Sequence, residues 1–238
     1  MKKPTKRIGL IGGLSPESTI RYYKVLCEMY NRREGGLHFP EIVMDSVNLQ
    51  HLVGLFGCNA WDEVAEILLA SLDRLKAAGA DFAAILANTP HNAYALIRTR
   101  SPLEIYTIMD ATSSALRRSG VKRIGLLGTR PTMEAGFFQK HFSNCGIESC
   151  VPGDERRQEL DRIIWDELAH GQVSPAAKSL AGKLRIELEE LGAEALVLGC
   201  TELNLLFDEE HSRLPLYDTL LLHAEGILAF ADGEMEEG

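Results

Sequence analysis

A cysteine placed directly after an apolar run is the residue of this chain whose position most favours chemistry. Cys200 follows EALVLG, a pattern typical of a buried strand, and Thr201 and Glu202 are predicted to open the next helix. A thiol at the start of a helix has a lowered pKa, which makes it available as an acid/base group. The alternative is a small buried apolar residue, as most free cysteines are. Its position favours a functional role for Cys200.

A second polar segment, ANTPH at residues 87–91, follows another apolar run. Asn88 and Thr89 carry side-chain donors at a predicted strand end, as a carboxylate-binding loop would need. The alternative is that both side chains bond the local backbone of the loop. His91 is a candidate proton shuttle or, equally, a structural hydrogen-bond donor.

Composition excludes several classes of partner. The chain has 238 residues and a formal net charge of −9, which argues against a nucleic-acid or anionic-membrane partner, because both need a basic surface. Its five cysteines form no CxxC pair, so we expect reduced thiols in the cytoplasm. Glycines interrupt the first apolar run, so neither a secretory signal nor a membrane span is expected. Neither GxGxxG nor GK[ST] occurs, and no His/Cys cluster has ligand spacing, so no cofactor and no metal are predicted.

Apolar runs alternate with segments of helical period along the whole chain. Strands are predicted near residues 7–12, 41–47, 81–86, 123–128, 146–151, 194–199 and 214–217, and helices over 61–78, 154–170 and 174–191. In the turn after the first strand, Ser15 is predicted to cap a helix that has Pro16 at its first position. The alternation predicts an α/β fold with parallel sheets flanked by helices.

Two segments of the first half recur in the second half in the same order. RIGLIGGL at residue 7 matches RIGLLGTR at residue 123, and AAGADFAAILANT, ending at Thr89, matches LGAEALVLGCT, ending at Thr201. This repetition predicts two similar doubly wound halves, 1–111 plus 215–238 and 112–214. Ligands of such sheets bind outside the carboxyl ends of the strands, so we expect a cleft lined by the residues that follow the strands. These residues include Leu14, Ser15, Asn88, Thr89, Thr129, Cys200 and Thr201.

The motifs GGLSPESTIRYY, GGLHFPEIVMDSVN, ANTPH, GTRPTME, GCTEL and PLYDT occur in an order and spacing that resembles the aspartate/glutamate racemase family. The resemblance runs from about residue 7 to 230. It implies two α/β halves related by a pseudo-twofold axis, a homodimer, and an amino-acid substrate held in the cleft. It also implies catalysis without pyridoxal phosphate.

The resemblance also implies two catalytic cysteines, one in each half. Inversion of an α-carbon requires acid/base groups on opposite faces of a planar intermediate, and a duplicated fold supplies one per half. The second cysteine is present as Cys200, but the first position is Ala87, which cannot carry a proton. A two-thiol mechanism therefore cannot operate as it stands. A water molecule, Thr89 or His91 is left as a candidate for the second face.

A further departure concerns the substrate side chain. Family members with acidic substrates carry a lysine about where Glu159 stands, and the resemblance implies that this lysine binds the distal carboxylate. A glutamate there would repel an acidic side chain and favour a cationic or hydrogen-bonding one. The alternatives are that Glu159 is a solvated helix residue, or that Arg156, Arg157 or Arg162 supplies the positive charge.

Three functions remain open at the level of sequence. The first is an amino-acid racemase or epimerase in which Cys200 exchanges the α-proton. Its substrate-binding residues would be Leu14, Ser15, Asn88, Thr89, Thr129, Thr132, Glu159 and Thr201. The second is a decarboxylase similar to arylmalonate decarboxylases, which use a single cysteine to protonate one face of an enediolate. The third is a protein that binds an amino acid or related carboxylate without turnover.

Overall fold

The chain forms two compact units. The computed structural model describes residues 5–208 and 212–234. Unit 1 comprises the residues up to Ala111 together with those from Leu220 onward, and unit 2 comprises Thr112–Thr219. The sequence-based division returned the chain to the first half at residue 215. In the structure the return comes at Leu220, because the strand before it pairs within the sheet of unit 2.

Unit 1 is built on a parallel sheet whose strand order is β2-β1-β3-β4. Its strands are β1 (Ile8–Gly12), β2 (Ile42–Ser46), β3 (Phe82–Ile85) and β4 (Glu104–Ile105). Its helices are α1 (Pro16–Glu34), α2 (Leu49–Gly57), α3 (Trp61–Ala77), α4 (Tyr94–Ile97), the first residues of α5 (Ile108–Arg118) and α10 (Thr219–Asp232). Strands β1 and β3 are fully buried, as expected for central strands covered on both faces.

Unit 2 repeats this plan with the strand order β6-β5-β7-β8, again all parallel. Its strands are β5 (Arg123–Leu127), β6 (Glu148–Cys150), β7 (Ala195–Leu198) and β8 (Leu216–Asp218). Its helices are most of α5, α6 (Arg130–Glu134), α7 (Phe137–Asn144), α8 (Asp154–Asp166) and α9 (Pro175–Glu190). The predicted α/β fold with two similar parallel sheets is confirmed.

The sheet registers show how the two units correspond. In unit 1 Ile8 lies opposite Phe82, and in unit 2 Ile124 lies opposite Ala195. At the carboxyl ends, Leu86 N donates to Ile11 O at 3.0 Å and Gly199 N donates to Leu127 O at 2.6 Å. Counting from either match, the residue equivalent to Cys200 is Ala87. The sequence alignment that ended at Thr89 and Thr201 is therefore displaced by one residue.

Local signals explain where the first helix begins and the third ends. The Ser15 side chain accepts a hydrogen bond from Ser18 N at 3.1 Å and Pro16 occupies the first helical position, as predicted. Helix α3 buries a stripe at helical spacing that includes Val64, Leu68 and Leu72. It ends before Gly79, whose φ of +87° favours glycine.

Two predicted helices differ from the structure. The helix predicted over 154–170 ends at Asp166 and is followed by a 3-10 helix, Leu168–His170. The helix predicted after Cys200 is wrong: the chain forms only a three-residue 3-10 helix, Leu203–Leu205.

In the part of the chain that the structure describes, no helix combines the length and apolarity needed to cross a membrane.

Candidate active site

The site in unit 2 begins where β5 and β7 end side by side. Leu127 lies opposite Leu198, so the segments 128–130 and 199–201 emerge next to each other at the carboxyl edge of the sheet. Central strands of a parallel sheet present their following loops at one edge, where ligands of this fold class bind. The structure therefore brings Thr129, Cys200 and Thr201 together, as predicted.

Two glycines allow Thr132 to pack between these strand ends. A Cβ atom on Gly128 would lie 2.9 Å from Thr132 Cγ2, and one on Gly199 would lie 3.0 Å from the same atom. Thr132 is fully buried, and its hydroxyl oxygen lies 3.1 Å from the Thr129 hydroxyl oxygen. Thr129 makes no side-chain cap bond to helix α6. Thr132 thus fixes the orientation of the Thr129 side chain through this hydrogen bond.

Cys200 is half-buried and bonded to a carboxylate. Its thiol donates to Glu202 Oε2 at 3.1 Å, and the Thr201 hydroxyl donates to the same oxygen at 2.7 Å. Burial, and then the Glu202 charge, raise the pKa of the Cys200 thiol well above its usual range, with a smaller contribution from Asp161. The predicted lowering of this pKa is wrong. The segment after Cys200 does not form an α-helix, and the charged group bonded to the thiol is the Glu202 carboxylate, which is negative.

Asp161 is a residue of this site that the sequence reasoning missed. It lies half-buried on α8, and its Oδ1 accepts a hydrogen bond from Arg130 N at 2.8 Å, which ties α8 to the loop after β5. Glu159, the predicted determinant of substrate side chain, is exposed on the same helix. Of these two carboxylates, Asp161 is the one that acts on the charge state of Cys200.

The three arginines considered as positive partners on α8 are all engaged in ion pairs. Arg156 Nη1 pairs with Glu187, and Arg162 Nη1 lies 3.7 Å from Asp166 Oδ2. Arg157 Nε donates to Glu134 Oε1 at 3.0 Å. Their charges are therefore already partly balanced within unit 2.

The corresponding edge of unit 1 is formed by the loops after β1 and β3. Gly13 has a φ of +77°, and a Cβ atom there would clash with the Val47 carbonyl oxygen. The Thr19 hydroxyl accepts from Gly13 N at 2.9 Å and donates to Ser15 O at 2.8 Å, so it fixes the turn that carries Leu14 and Ser15. Leu14 is buried, and the Ser15 hydroxyl oxygen caps α1.

The loop after β3 carries Asn88, Thr89 and His91. Asn88 is 5% exposed, and its side chain makes no cap bond to the 3-10 helix Thr89–Ala93, so the helix-capping alternative for Asn88 is not observed. His91 is 1% exposed, and its Nδ1 lies 2.8 Å from Ala87 O. Because a carbonyl oxygen only accepts, His91 carries its proton on Nδ1 in this arrangement.

A second buried histidine lies behind this loop. His223 Nε2 lies 3.1 Å from Tyr106 O and must donate to it, which leaves Nδ1 to accept from the Tyr22 hydroxyl at 3.0 Å. Its ring centroid lies 6.5 Å from that of His91. Burial, and then the neighbouring His91, lower the pKa of His223 to about 3. His223 is therefore neutral under ordinary conditions.

Within 5–208 and 212–234, no group of three or more His, Cys, Asp or Glu side chains is arranged to hold a metal ion. All five cysteines lie in these ranges and are free thiols.

The Asp/Glu/hydantoin racemase family model matches residues 11–227. The chain belongs to this family. A crystal structure described as that of a candidate Asp/Glu racemase from Yersinia pestis is 35% identical, with a TM-score of 0.89, and covers 95% of this chain and 99% of that one. An aspartate racemase homologue from Pyrococcus horikoshii OT3 is 33% identical, with a TM-score of 0.83 and the same coverage.

A curated relative of lower identity spans most of the chain. The broad specificity amino-acid racemase RacX of Bacillus subtilis is 22% identical over 226 residues, which cover 89% of this chain and 92% of RacX. The resemblance inferred from the motifs is confirmed by these matches.

Proposed function

We propose that this protein is an amino-acid racemase or epimerase that works without pyridoxal phosphate and exchanges the substrate α-proton at Cys200. The observation that carries the proposal is the position of Cys200 at the carboxyl end of β7, beside Thr129 at the end of the neighbouring strand. Membership in the racemase family supports the reaction class. The relatives named as racemases support an isomerase.

The proposal gives each unit its own set of candidate substrate-binding residues. In unit 2 the Thr129 and Thr201 hydroxyls would bond the α-carboxylate or amine, and Thr132 would act through its hydrogen bond to Thr129. In unit 1 the candidate hydrogen-bonding residues are Asn88 and Thr89. Leu14 would add apolar contact and Ser15 a polar backbone. Glu159 would act on the substrate side chain only by its charge, since it is exposed.

Proton transfer on the second face does not come from residue 87 in this proposal. Ala87 is the structural equivalent of Cys200, and a methyl group neither accepts nor donates a proton. Thr89 and His91 follow it on the same loop. The proposal therefore assigns only the proton transfer at Cys200. The minimum activity that it requires is exchange of the α-hydrogen with retained configuration.

A second candidate is favoured by the raised pKa of Cys200. A thiol that stays protonated is suited to donate a proton to a carbanion, and a single-cysteine decarboxylase needs this form. In such a reaction the bond to a carboxylate breaks and carbon dioxide leaves. The electron pair stays on the substrate as an enediolate, which then takes the Cys200 proton.

The test is incubation with single enantiomers of the common amino acids in heavy water, followed by chiral separation and mass measurement. We expect deuterium at the α-carbon, lost in Cys200→Ser and retained in Cys150→Ser, a half-buried cysteine of the same unit. Exchange in the Cys200→Ser variant, or none in any amino acid with the native protein, would refute the proposal. Turnover of a malonate without amino-acid exchange would establish the second candidate. Ligand stabilisation without turnover, unchanged in Cys200→Ser, would indicate a binding protein.

We further propose that the protein acts in the cytoplasm as a homodimer. The free state of all five cysteines supports a reducing compartment. The dimer is an expectation from the family, and sedimentation equilibrium of the purified protein tests it: a single monomer mass at micromolar concentration would contradict it.

A further inference from the structure

The carboxylate two residues after Cys200 is held against the thiol. Glu202 Oε2 accepts from Cys200 Sγ at 3.1 Å and from the Thr201 hydroxyl at 2.7 Å. Two donors on one oxygen fix its direction, so the carboxylate faces the sulfur instead of turning to solvent. The equivalent position in unit 1 is Thr89, which follows Ala87. The thiol and its carboxylate are therefore a feature of unit 2 at this position.

We infer that Glu202 is a positioning residue that holds Cys200 as a protonated thiol and so makes it the proton donor of the resting protein. The inference rests on the proposed function for its role in turnover. Its statement about the thiol stands without any substrate.

A second charge acts on Cys200 in the same direction as Glu202. Asp161, on α8, is the second negative group that acts on the thiol. Asp218 is the last residue of β8 and lies opposite Leu198 in the register; Leu198 is two residues before Cys200. Arg130 is the first residue of α6, and its guanidinium donates to Glu134 at 3.1 Å. The charges that act on the sulfur thus disfavour the thiolate.

Proton donation from this thiol follows in one step. The S–H bond breaks, and its electron pair stays on sulfur as a thiolate. The proton forms a C–H bond with the electron pair of a substrate carbanion; in a decarboxylase that pair is left by loss of carbon dioxide, and in a racemase by earlier removal of the α-proton by the Cys200 thiolate. The thiolate then lies beside a carboxylate, which makes it a strong base. It regains a proton from water or from the α-carbon of the next substrate, and in a racemase the second route exchanges hydrogen at that carbon.

The thiol can be measured directly through its rate of alkylation by iodoacetamide as a function of pH, read by mass spectrometry of the peptide that contains Cys200. Only the thiolate reacts. We expect the midpoint for native Cys200 to lie above the ordinary value of about 8.5. Glu202→Gln keeps an acceptor oxygen but removes the charge, so it is expected to lower the midpoint by about one pH unit or more. Alkylation at pH 8 would then be about tenfold faster.

Glu148→Gln is the matched control, because this exposed glutamate of unit 2 pairs with Arg123 at the start of β5, at the opposite end of the strands from Cys200. It should leave the midpoint of Cys200 unchanged, and the exposed Cys58 reports reagent activity in every sample. A native midpoint at or below the ordinary value overturns the inference, and this result needs no variant to fold. An unchanged midpoint in folded Glu202→Gln also overturns it.

The same variant separates this inference from the proposed function. If Glu202→Gln shifts the alkylation midpoint but no amino acid exchanges hydrogen, the inference stands and the racemase proposal fails. If exchange occurs and the midpoint does not shift, the reverse holds. In an active protein the pH optimum of exchange should move to lower pH with the thiol. A purely structural role would lower exchange equally at every pH.

Discussion

Lowering the pH from 6.5 to 4.5 is expected to destabilise unit 1 through one buried histidine, His223. Its two ring nitrogens are committed, one as a donor to Tyr106 O and the other as an acceptor from the Tyr22 hydroxyl. A second proton on the ring would turn the accepting nitrogen into a donor that faces a hydroxyl at 3.0 Å. Its charge would also be buried in a fully enclosed site.

The size of the effect follows from the pKa of His223, which is about 3 in the folded protein against about 6.5 in an unfolded chain. Above pH 6.5 neither state binds the proton and stability is unaffected. Between pH 6.5 and about 3 the unfolded state binds it and the folded state does not, so stability falls as the pH falls. The loss is about 1.4 kcal/mol per pH unit, or about 2.7 kcal/mol at pH 4.5.

Urea unfolding at several pH values between 7 and 4 measures this slope. The His223→Gln variant cannot bind the proton, so its free energy of unfolding should fall less steeply with pH than that of the native protein, by about 1.4 kcal/mol per unit below pH 6. His51→Asn is the control, because His51 is exposed on α2. It should follow the native slope. Equal slopes in the native protein and His223→Gln would refute the reasoning.

Three further predictions concern single positions. Gly13→Ala should lower the free energy of unfolding by about 3 kcal/mol, because a positive φ and a clash of the new Cβ atom with backbone act together. Gly120→Ala is the control: its φ is +72° but the space around it is open, so it should lower the free energy of unfolding by only about 1 kcal/mol. Equal losses on urea unfolding would contradict this prediction. Ala87→Cys should raise the rate of α-carbon inversion by about 10²-fold if a second thiol completes the site, as chiral chromatography would show; an unchanged rate would count against it. Glu159→Lys should leave stability within about 0.5 kcal/mol, since Glu159 is exposed, while shifting relative turnover toward acidic amino acids; unshifted turnover would remove Glu159 from the site.

The strands and the duplication were predictable because buried parallel strands carry continuous apolar runs. The segments before Gly12 and Gly128 have almost the same sequence, and each forms a buried central strand, β1 in unit 1 and β5 in unit 2. Strand β4 was not predicted, because two residues, Glu104 and Ile105, are too short for any periodic pattern and pair only with β3. Its existence depends on the neighbouring strand.

The charge environment of Cys200 could not be predicted, because it depends on which side of a helix faces the strand ends. At 100° per residue, Glu159 and Asp161 flank buried Leu160 at equal angles on opposite sides. An amphipathic pattern does not distinguish the two sides, and the structure places Asp161 toward Arg130 N. The pairing of His223 with Tyr22 was equally hidden, since 201 positions separate them.

Because Ala87 and Cys200 occupy equivalent positions in sheets of the same topology, the difference between them is a difference in chemistry on a shared scaffold. In unit 2 the thiol has a carboxylate at Glu202, whereas in unit 1 the methyl group is followed by Thr89 at that position. A reaction that needs the same group on both faces of a substrate is incompatible with this pair. In the proposed reaction, proton transfer at these two positions involves Cys200 alone, and inversion would require a second proton donor at another position.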